Sequence, residues 1–361
     1  MKIFTTYFFL SVILLLTGCK NTVEKTTETG HVRNVIFMIG DGMGVNHMYA
    51  AYTANNGTLA IERSEFMGLI KTYAADNYVT ESAAAATAIA GGQKTNNGMV
   101  GVCPDGNPLK SMLTYAAEHG LSTGMVVTCE LTHATPAAFV AHVPSRSDHE
   151  GIAFAFTQSK INVAIGGGRK FFENRSDGKN LTEMMKSNGF QVAYTMSDVK
   201  KVQEGNLLAL LADVALEGYP ARGNMLPEAV ETAINILNQN EKGFFLMVEG
   251  SQIDWAAHGN DIESVVNETL DFDRAVKIAF DFAERCGNTL VIVAGDHETG
   301  GLSIIDGCFE SGEIITVFTT TRHTGVPVPV YSFGPGAKKF SGFFDNTDFL
   351  PRVLKLLGII R

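Results

Sequence analysis

Six short stretches of the chain are almost wholly apolar: Val35–Ile39, Gly124–Thr128, Val163–Ile165, Phe244–Val248, Leu290–Ala294 and Val328–Phe333. They are continuous apolar runs and do not alternate with polar residues, which predicts strands buried on both faces. Between them the apolar positions recur at helical spacing. Helices are predicted over Pro108–Glu118, with Gly120 as the cap, and over Pro227–Asn238. A third spans Ile262–Glu284, where Val265, Leu270, Phe272, Val276 and Phe280 make one stripe. Buried strands alternating with helices predict a layered α/β fold around a mostly parallel sheet. Residues 170–222 contain no cluster of metal-type side chains. Their segment SDGKNLTEMMKSNGFQVAY reads as turn, helix, turn, strand, which assigns this section to a peripheral layer. No internal repeat of 20–50 residues is present.

The first residues depart from this pattern. Lys2 precedes the apolar run Phe8–Leu16, which is too short to span a bilayer and has the layout of a secretory signal. The sequence Leu16-Thr17-Gly18-Cys19 resembles the lipobox of bacterial lipoproteins. That resemblance implies a signal peptide over residues 1–18 and a lipid anchor on Cys19, holding an exported protein to a bacterial membrane. A plain cleaved signal with an incidental cysteine is the alternative. The polar residues 19–30 read as a flexible tether, and residues 31–361 as a single catalytic domain.

Composition narrows the partners. The chain has 361 residues, 45% of them hydrophobic, and a formal net charge of −10, which argues against a nucleic-acid-binding surface. The sign does not exclude anionic small substrates, because bound cations outweigh a global field locally. Besides Cys19, the cysteines are Cys103, Cys129, Cys286 and Cys308. They show no CxxC spacing, and their disulfide pairing is not deducible from sequence.

The polar residues that follow the apolar runs carry the chemistry. The first run leads into GDG with Asp41, and the second into CELTHATP with His133 and Thr135. Phe244–Val248 leads into EGSQIDWAAH, with Glu249, Asp254 and His258, and Leu290–Ala294 into GDHETGG, with Asp296 and His297. Ligand sites of open α/β sheets lie beyond the carboxyl ends of the strands, so four predicted strands deliver these groups to one edge. Asp254 and His258 are four apart and share a helix face. Asp296 and His297 are adjacent, so they converge only if the chain has already left the strand, which Gly295 eases. Mixed carboxylate and imidazole suits zinc, whereas the oxygen donors Asp41, Thr135 and Glu249 suit magnesium.

The stretch VTESAAAATAIAGG, Val79–Gly92, places Glu81 and Ser82 at the start of a small-residue helix. A helix start offers free N–H groups to an anion, and a serine there is placed to attack a bound phosphoryl group. Read alone, the same residues also describe a tightly packed helix with Ser82 as its cap.

The segments IGDG, VTESAAAATA, THATPAAFVAHVPSR, VEGSQIDWAAH, AGDHETGG and RHTG occur in the order found in alkaline phosphatases. The chain resembles that family from about Asn34 to about Pro335, most closely its short bacterial forms that lack large insertions. The resemblance implies an α/β three-layer sandwich with a large, mostly parallel central sheet, two zinc ions and one magnesium ion, and a homodimer. Asp254, His258 and His323 would hold the first zinc, and Asp41, Asp296 and His297 the second, beside Ser82. Asp41, Thr135 and Glu249 would hold magnesium, and Arg146 would clamp two phosphate oxygens. The implied reaction converts phosphate monoesters to alcohol and phosphate through a phosphoserine. Glu81 departs from the family, which usually has Asp before the nucleophile. His133 and Trp255 stand near magnesium and the phosphate, where other members carry Asp and Lys or His. A phosphodiesterase or sulfatase of the same superfamily and a non-catalytic lipid-anchored binding protein are the rival readings. A serine nucleophile with an arginine and a third metal suits a dianionic monoester better.

Overall fold

The computed structural model describes residues 31–361; the signal peptide, Cys19 and the whole of the tether predicted from sequence lie outside the described residues. Fourteen strands occur among the described residues. They are β1 (Asn34–Gly40), β2 (Phe66–Lys71), β3 (Ser122–Glu130), β4 (Val163–Gly167), β5 (Phe190–Ala193), β6 (Asn206–Leu210) and β7 (Phe244–Gly250). The others are β8 (Thr289–Gly295), β9 (Glu298–Thr299), β10 (Leu302–Cys308), β11 (Glu313–Phe318), β12 (His323–Thr324), β13 (Val328–Phe333) and β14 (Gly342–Asp345).

Ten of them form one sheet in the order β14-β2-β13-β8-β1-β7-β3-β4-β6-β5. From β8 to β5 every pairing is parallel, and β13 runs antiparallel to both neighbours. All seven residues of β1, β7 and β8 are buried. This is why those sequences read as unbroken apolar runs: helices cover both sheet faces. On one face the core gathers around Phe37, Phe139, Phe245 and Phe349, and on the other around Phe244, Phe272 and Phe280.

Two sequence-based expectations need correction. The helix expected from Pro108 begins at Met112 with Ser111 as its cap, because Pro108 is held in a bridge to Val102. The helix expected from Pro227 begins two residues earlier, at Met225. Residues 170–222 contribute β5 and β6, which extend the central sheet at one edge. The turn–helix–strand reading within that section holds, with a helix over Leu181–Ser187 followed by β5. The long helix predicted from Ile262 runs through Cys286 and ends on Gly287.

Candidate active site

The central strands β1, β3, β7 and β8 run in register and end together, so the residues just beyond them share one edge. Asp41 is the first residue past β1 and is fully buried. Gly42 then turns at φ +71°. A Cβ there would lie 2.8 Å from Thr299 Oγ1 and 2.9 Å from Asp254 Cα, so glycine is required for both the turn and the close approach. Gly295 ends β8 under similar pressure, because its Cβ would lie 2.3 Å from the Met43 carbonyl oxygen. Beyond it, Asp296 Oδ1 accepts from the backbone N–H of Gly42 at 3.0 Å and of His297 at 2.9 Å. The carboxylate is thereby fixed with Oδ2 turned to the site.

His297 Nε2 lies 3.3 Å from Asp41 Oδ1, 3.4 Å from Asp296 Oδ2 and 3.2 Å from Ser82 Oγ. Ser82 Oγ also donates to Asp41 Oδ1 at 3.4 Å. The set Asp41, Asp296, His297 and Ser82 expected from the sequence is thus assembled, from three segments up to 256 residues apart in the case of Asp41 and His297.

A second group forms at the helix Gln252–His258. Asp254 Oδ1 is 3.4 Å from Nε2 of both His258 and His323, and the two Nε2 atoms are 3.0 Å apart. His258 Nδ1 donates to the Thr321 carbonyl at 2.7 Å, and His323 Nδ1 to the Thr80 carbonyl at 2.9 Å. A carbonyl only accepts, so both protons sit on Nδ1 and both Nε2 lone pairs converge. That is the way metal-binding imidazoles are oriented, and without a proton or a cation between them the lone pairs repel. His323 reaches this position because β12 pairs with β9, setting it opposite Thr299. Thr299 Oγ1 donates to Asp254 Oδ1 at 2.5 Å and lies 3.3 Å from His297 Nδ1, which ties the two groups together.

The third expected set is more deeply buried. Glu249 on β7 and Thr135 on the short helix Ala134–Ala137 are fully buried. Glu249 Oε1, Thr135 Oγ1, Asp41 Oδ2 and Asp296 Oδ2 have no hydrogen-bond partner among the described residues. Buried polar atoms of this kind are costly unless something else satisfies them.

The titration behaviour agrees. Burial raises the Asp41 carboxyl well above its usual range, and Asp296, Asp254 and Glu249 push it further. Burial raises Glu249 to about 8, with Asp296 adding to it. Burial also works against the Asp254 anion, but hydrogen bonds from His258 and His323 prevail and hold its pKa well below the usual value. The same bond to Asp254 raises His258 to about 9. Crowded buried carboxylates with converging imidazoles fit divalent cations, whose charge would remove this mutual repulsion.

Beside these groups the helix Ser82–Gly91 is buried on every side as far as Ala90, which its run of alanines permits. Its cap is Glu81 and not Ser82. Glu81 accepts from the N–H groups of Ala84 at 2.8 Å, Ala83 at 3.1 Å and Gly98 at 2.8 Å, and its Oε2 pairs with Arg146 Nη1. Two of the helix-start N–H groups expected to meet an anion are therefore taken by the chain's own carboxylate. Burial opposes the Glu81 charge, yet Arg146 and these N–H groups outweigh it and lower its pKa. Arg146 Nη2 meets His133 Nε2 at 3.1 Å, and the His133 ring stands edge-on to Trp255 at 5.7 Å. Burial, reinforced by Arg146, lowers His133 to about 3, so it is neutral.

Two contributors were missed from sequence. Thr299 lies two residues after His297, a spacing that an extended segment turns to one side. Cys129 was weighed only for disulfides, yet its Sγ lies 3.5 Å from Glu249 Oε2 and no disulfide occurs among the described residues.

Comparison with known proteins agrees with the geometry. The family model described as alkaline phosphatase matches residues 32–317. Alkaline phosphatase 4 of Bacillus subtilis (strain 168) is 36% identical, over 92% of this chain and 90% of that protein. The structure of the alkaline phosphatase from the Antarctic bacterium TAB5 superposes with a TM-score of 0.87 at 36% identity, covering 91% of this chain and 99% of that one. A variant of that enzyme with a histidine changed to aspartate holds magnesium in its M3 site; it is 35% identical, with a TM-score of 0.86, and covers 92% of this chain and 100% of its own. Four strand ends that gather carboxylates and imidazoles around a buried serine, and a sequence match running through nearly all of them, lead to one conclusion: this chain belongs to the alkaline phosphatase family.

Proposed function

We propose that the protein hydrolyses phosphate monoesters by way of a phosphoserine on Ser82, with two zinc ions and a third divalent cation. One observation carries the reading: Ser82 Oγ, only 2% of the residue being exposed, lies within 3.4 Å of both Asp41 and His297, and its chain neighbour Glu81 is paired with Arg146. Asp254, His258 and His323 would hold one zinc; Asp41, Asp296 and His297 the other; Asp41, Thr135 and Glu249 the third ion. When bound, the ions supply Lewis-acid stabilisation of the attacking and leaving oxygens. Arg146 keeps one N–H on each terminal nitrogen beyond those given to Glu81 and His133, and so offers a pair to two non-bridging phosphate oxygens. Glu81, anchored by three backbone N–H groups, holds that fork in place. Ser82 Oγ gives its proton up to solvent, the Oγ–P bond forms and the bond from phosphorus to the alcohol oxygen breaks, that oxygen taking up a proton from solvent as the alcohol leaves. Water then attacks phosphorus from the vacated side, the Oγ–P bond breaks, and Oγ regains a proton.

Ser82→Ala tests the reading. Hydrolysis of a monoester should fall by about 10⁴-fold or more while metal content is unchanged; unchanged hydrolysis would remove the phosphoserine. We further propose that the chain acts as an exported, Cys19-anchored homodimer. Loss of membrane association in Cys19→Ala and the mass of the detergent-solubilised protein test those two statements.

A further inference from the structure

The third cation position has a donor that oxygen chemistry does not explain. Cys129, a ring nitrogen of His133 and a carboxylate oxygen of Glu249 all lie within 4.8 Å of one another. Cys129 and Glu249 are fully buried, and Cys129 Sγ is 3.5 Å from Glu249 Oε2. Two further atoms at this place lack partners, Glu249 Oε1 and His133 Nδ1, so the thiol is not an isolated feature. Zinc–sulfur and zinc–nitrogen bonds of about 2.3 and 2.0 Å set their donors within about 4 Å of each other, so small side-chain rotations suffice. Magnesium prefers an all-oxygen, octahedral shell, whereas thiolate and imidazole favour a softer ion.

We propose that Cys129 is a ligand of the third cation, and that with Glu249 and His133 it makes this position select zinc over magnesium. The inference rests on the metal-dependent reading of the site given above. Ligation exchanges the S–H proton, released to solvent, for an S–metal bond, with no change of oxidation state. It also has a consequence for Arg146. A neutral imidazole has one lone pair. If the ion takes Nε2, that lone pair is used; if it takes Nδ1, the proton moves to Nε2. Either way His133 stops accepting from Arg146 Nη2, and that N–H is released towards the phosphate. Filling the third position thus prepares the arginine.

The experiment uses the full-length protein, stripped of metal and then equilibrated with zinc and magnesium together. Metal content should reach about three zinc ions per chain with no magnesium. Cys129→Ser should return it to about two zinc and one magnesium. Titration of the stripped wild type with cobalt should add a thiolate-to-cobalt charge-transfer band in the near ultraviolet, absent from Cys129→Ser and Cys129→Ala. The cobalt band on the wild type keeps the test decisive if a variant fails to fold, and prior alkylation of exposed thiols removes the contribution of Cys308. Two zinc and one magnesium in the wild type, with no such band, would overturn the proposal and leave the metal-dependent phosphatase reading intact. Failure to retain any metal would overturn both.

Discussion

The imidazole-rich group and the carboxylate-rich group are neighbours, but they manage their charge in opposite ways. Asp254, His258 and His323 form a pair-and-acceptor system at the rim, where the His258 side chain is 39% exposed. Its charges compensate one another: Asp254 is driven down and His258 up to about 9. Asp41, Glu249 and Asp296 lie wholly inside, with an orphaned oxygen each. There burial and like charge act together, and Asp41 and Glu249 are pushed towards their protonated forms. The difference teaches that the rim group balances its own charges, whereas the inner group gathers like charges that protons or cations must neutralise. Thr299 is the bond between them, touching Asp254 and His297 at once.

The largest expected effect comes from removing a charge from the inner group. Asp41→Asn should weaken metal retention by more than the about 10- to 100-fold typical of losing an outer-sphere partner, and empty both inner positions. His258→Ala should release only the rim ion. Equal losses in the two variants, measured by metal analysis after dialysis, would erase the contrast.

Acidity sharpens the comparison further. A carboxyl whose folded pKa is raised binds more protons folded than unfolded. Glu249, raised to about 8 from a usual 4.5, contributes stability that is present below pH 4.5 and is lost as the pH climbs towards 8. His258, raised to about 9 from 6.5, contributes stability present below pH 6.5 and lost through pH 9. The metal-free protein should therefore melt at progressively lower temperature from pH 5 to pH 9, the earlier part of the fall belonging to the inner group. Because the ligands bind metal only deprotonated, the gap between metal-loaded and metal-free melting temperatures should widen over the same range. A gap constant with pH, measured calorimetrically, would contradict this assignment of charge.

Thr299→Val should cost about 1–3 kcal/mol, because it leaves Asp254 short of a buried donor. Denaturant unfolding of the metal-loaded protein checks this; a change below about 0.5 kcal/mol would mean the two groups are not coupled through that hydroxyl. The smallest effect is expected at Glu81→Asp. Shortening by one methylene withdraws the carboxylate from Gly98 or from Arg146, and inhibition by phosphate should change by up to about tenfold, equivalent to one charge-assisted hydrogen bond. Identical inhibition constants would show that Arg146 is placed without Glu81.

Much of this was legible in the chain. Strands β1, β7 and β8 announced themselves because residues buried on both faces have nowhere to place a polar side chain. The short edge strand β14 and its neighbour β2 did not, since β2 alternates buried and exposed positions and β14 depends on β2. The candidate ligands at the strand ends were legible because each apolar run leads directly into a cluster of carboxylates, imidazoles or hydroxyls. The identity of the helix cap was not: Ser82 and Glu81 are both plausible from sequence, and only the N–H groups of Ala83, Ala84 and Gly98 converging on one carboxylate decide for Glu81.

The sequence by itself determined which residues could carry the chemistry and that they would stand at one sheet edge, because buried-strand patterning and chain-order motifs are local properties. Tertiary structure alone decided which of them meet. That His258 and His323 bring their Nε2 atoms to 3.0 Å, that Ser82 faces His297, and that Cys129 stands against Glu249 are contacts across 65, 215 and 120 residues. No local pattern encodes such pairings; they exist because parallel strands of the sheet end together and bury these polar groups against one another.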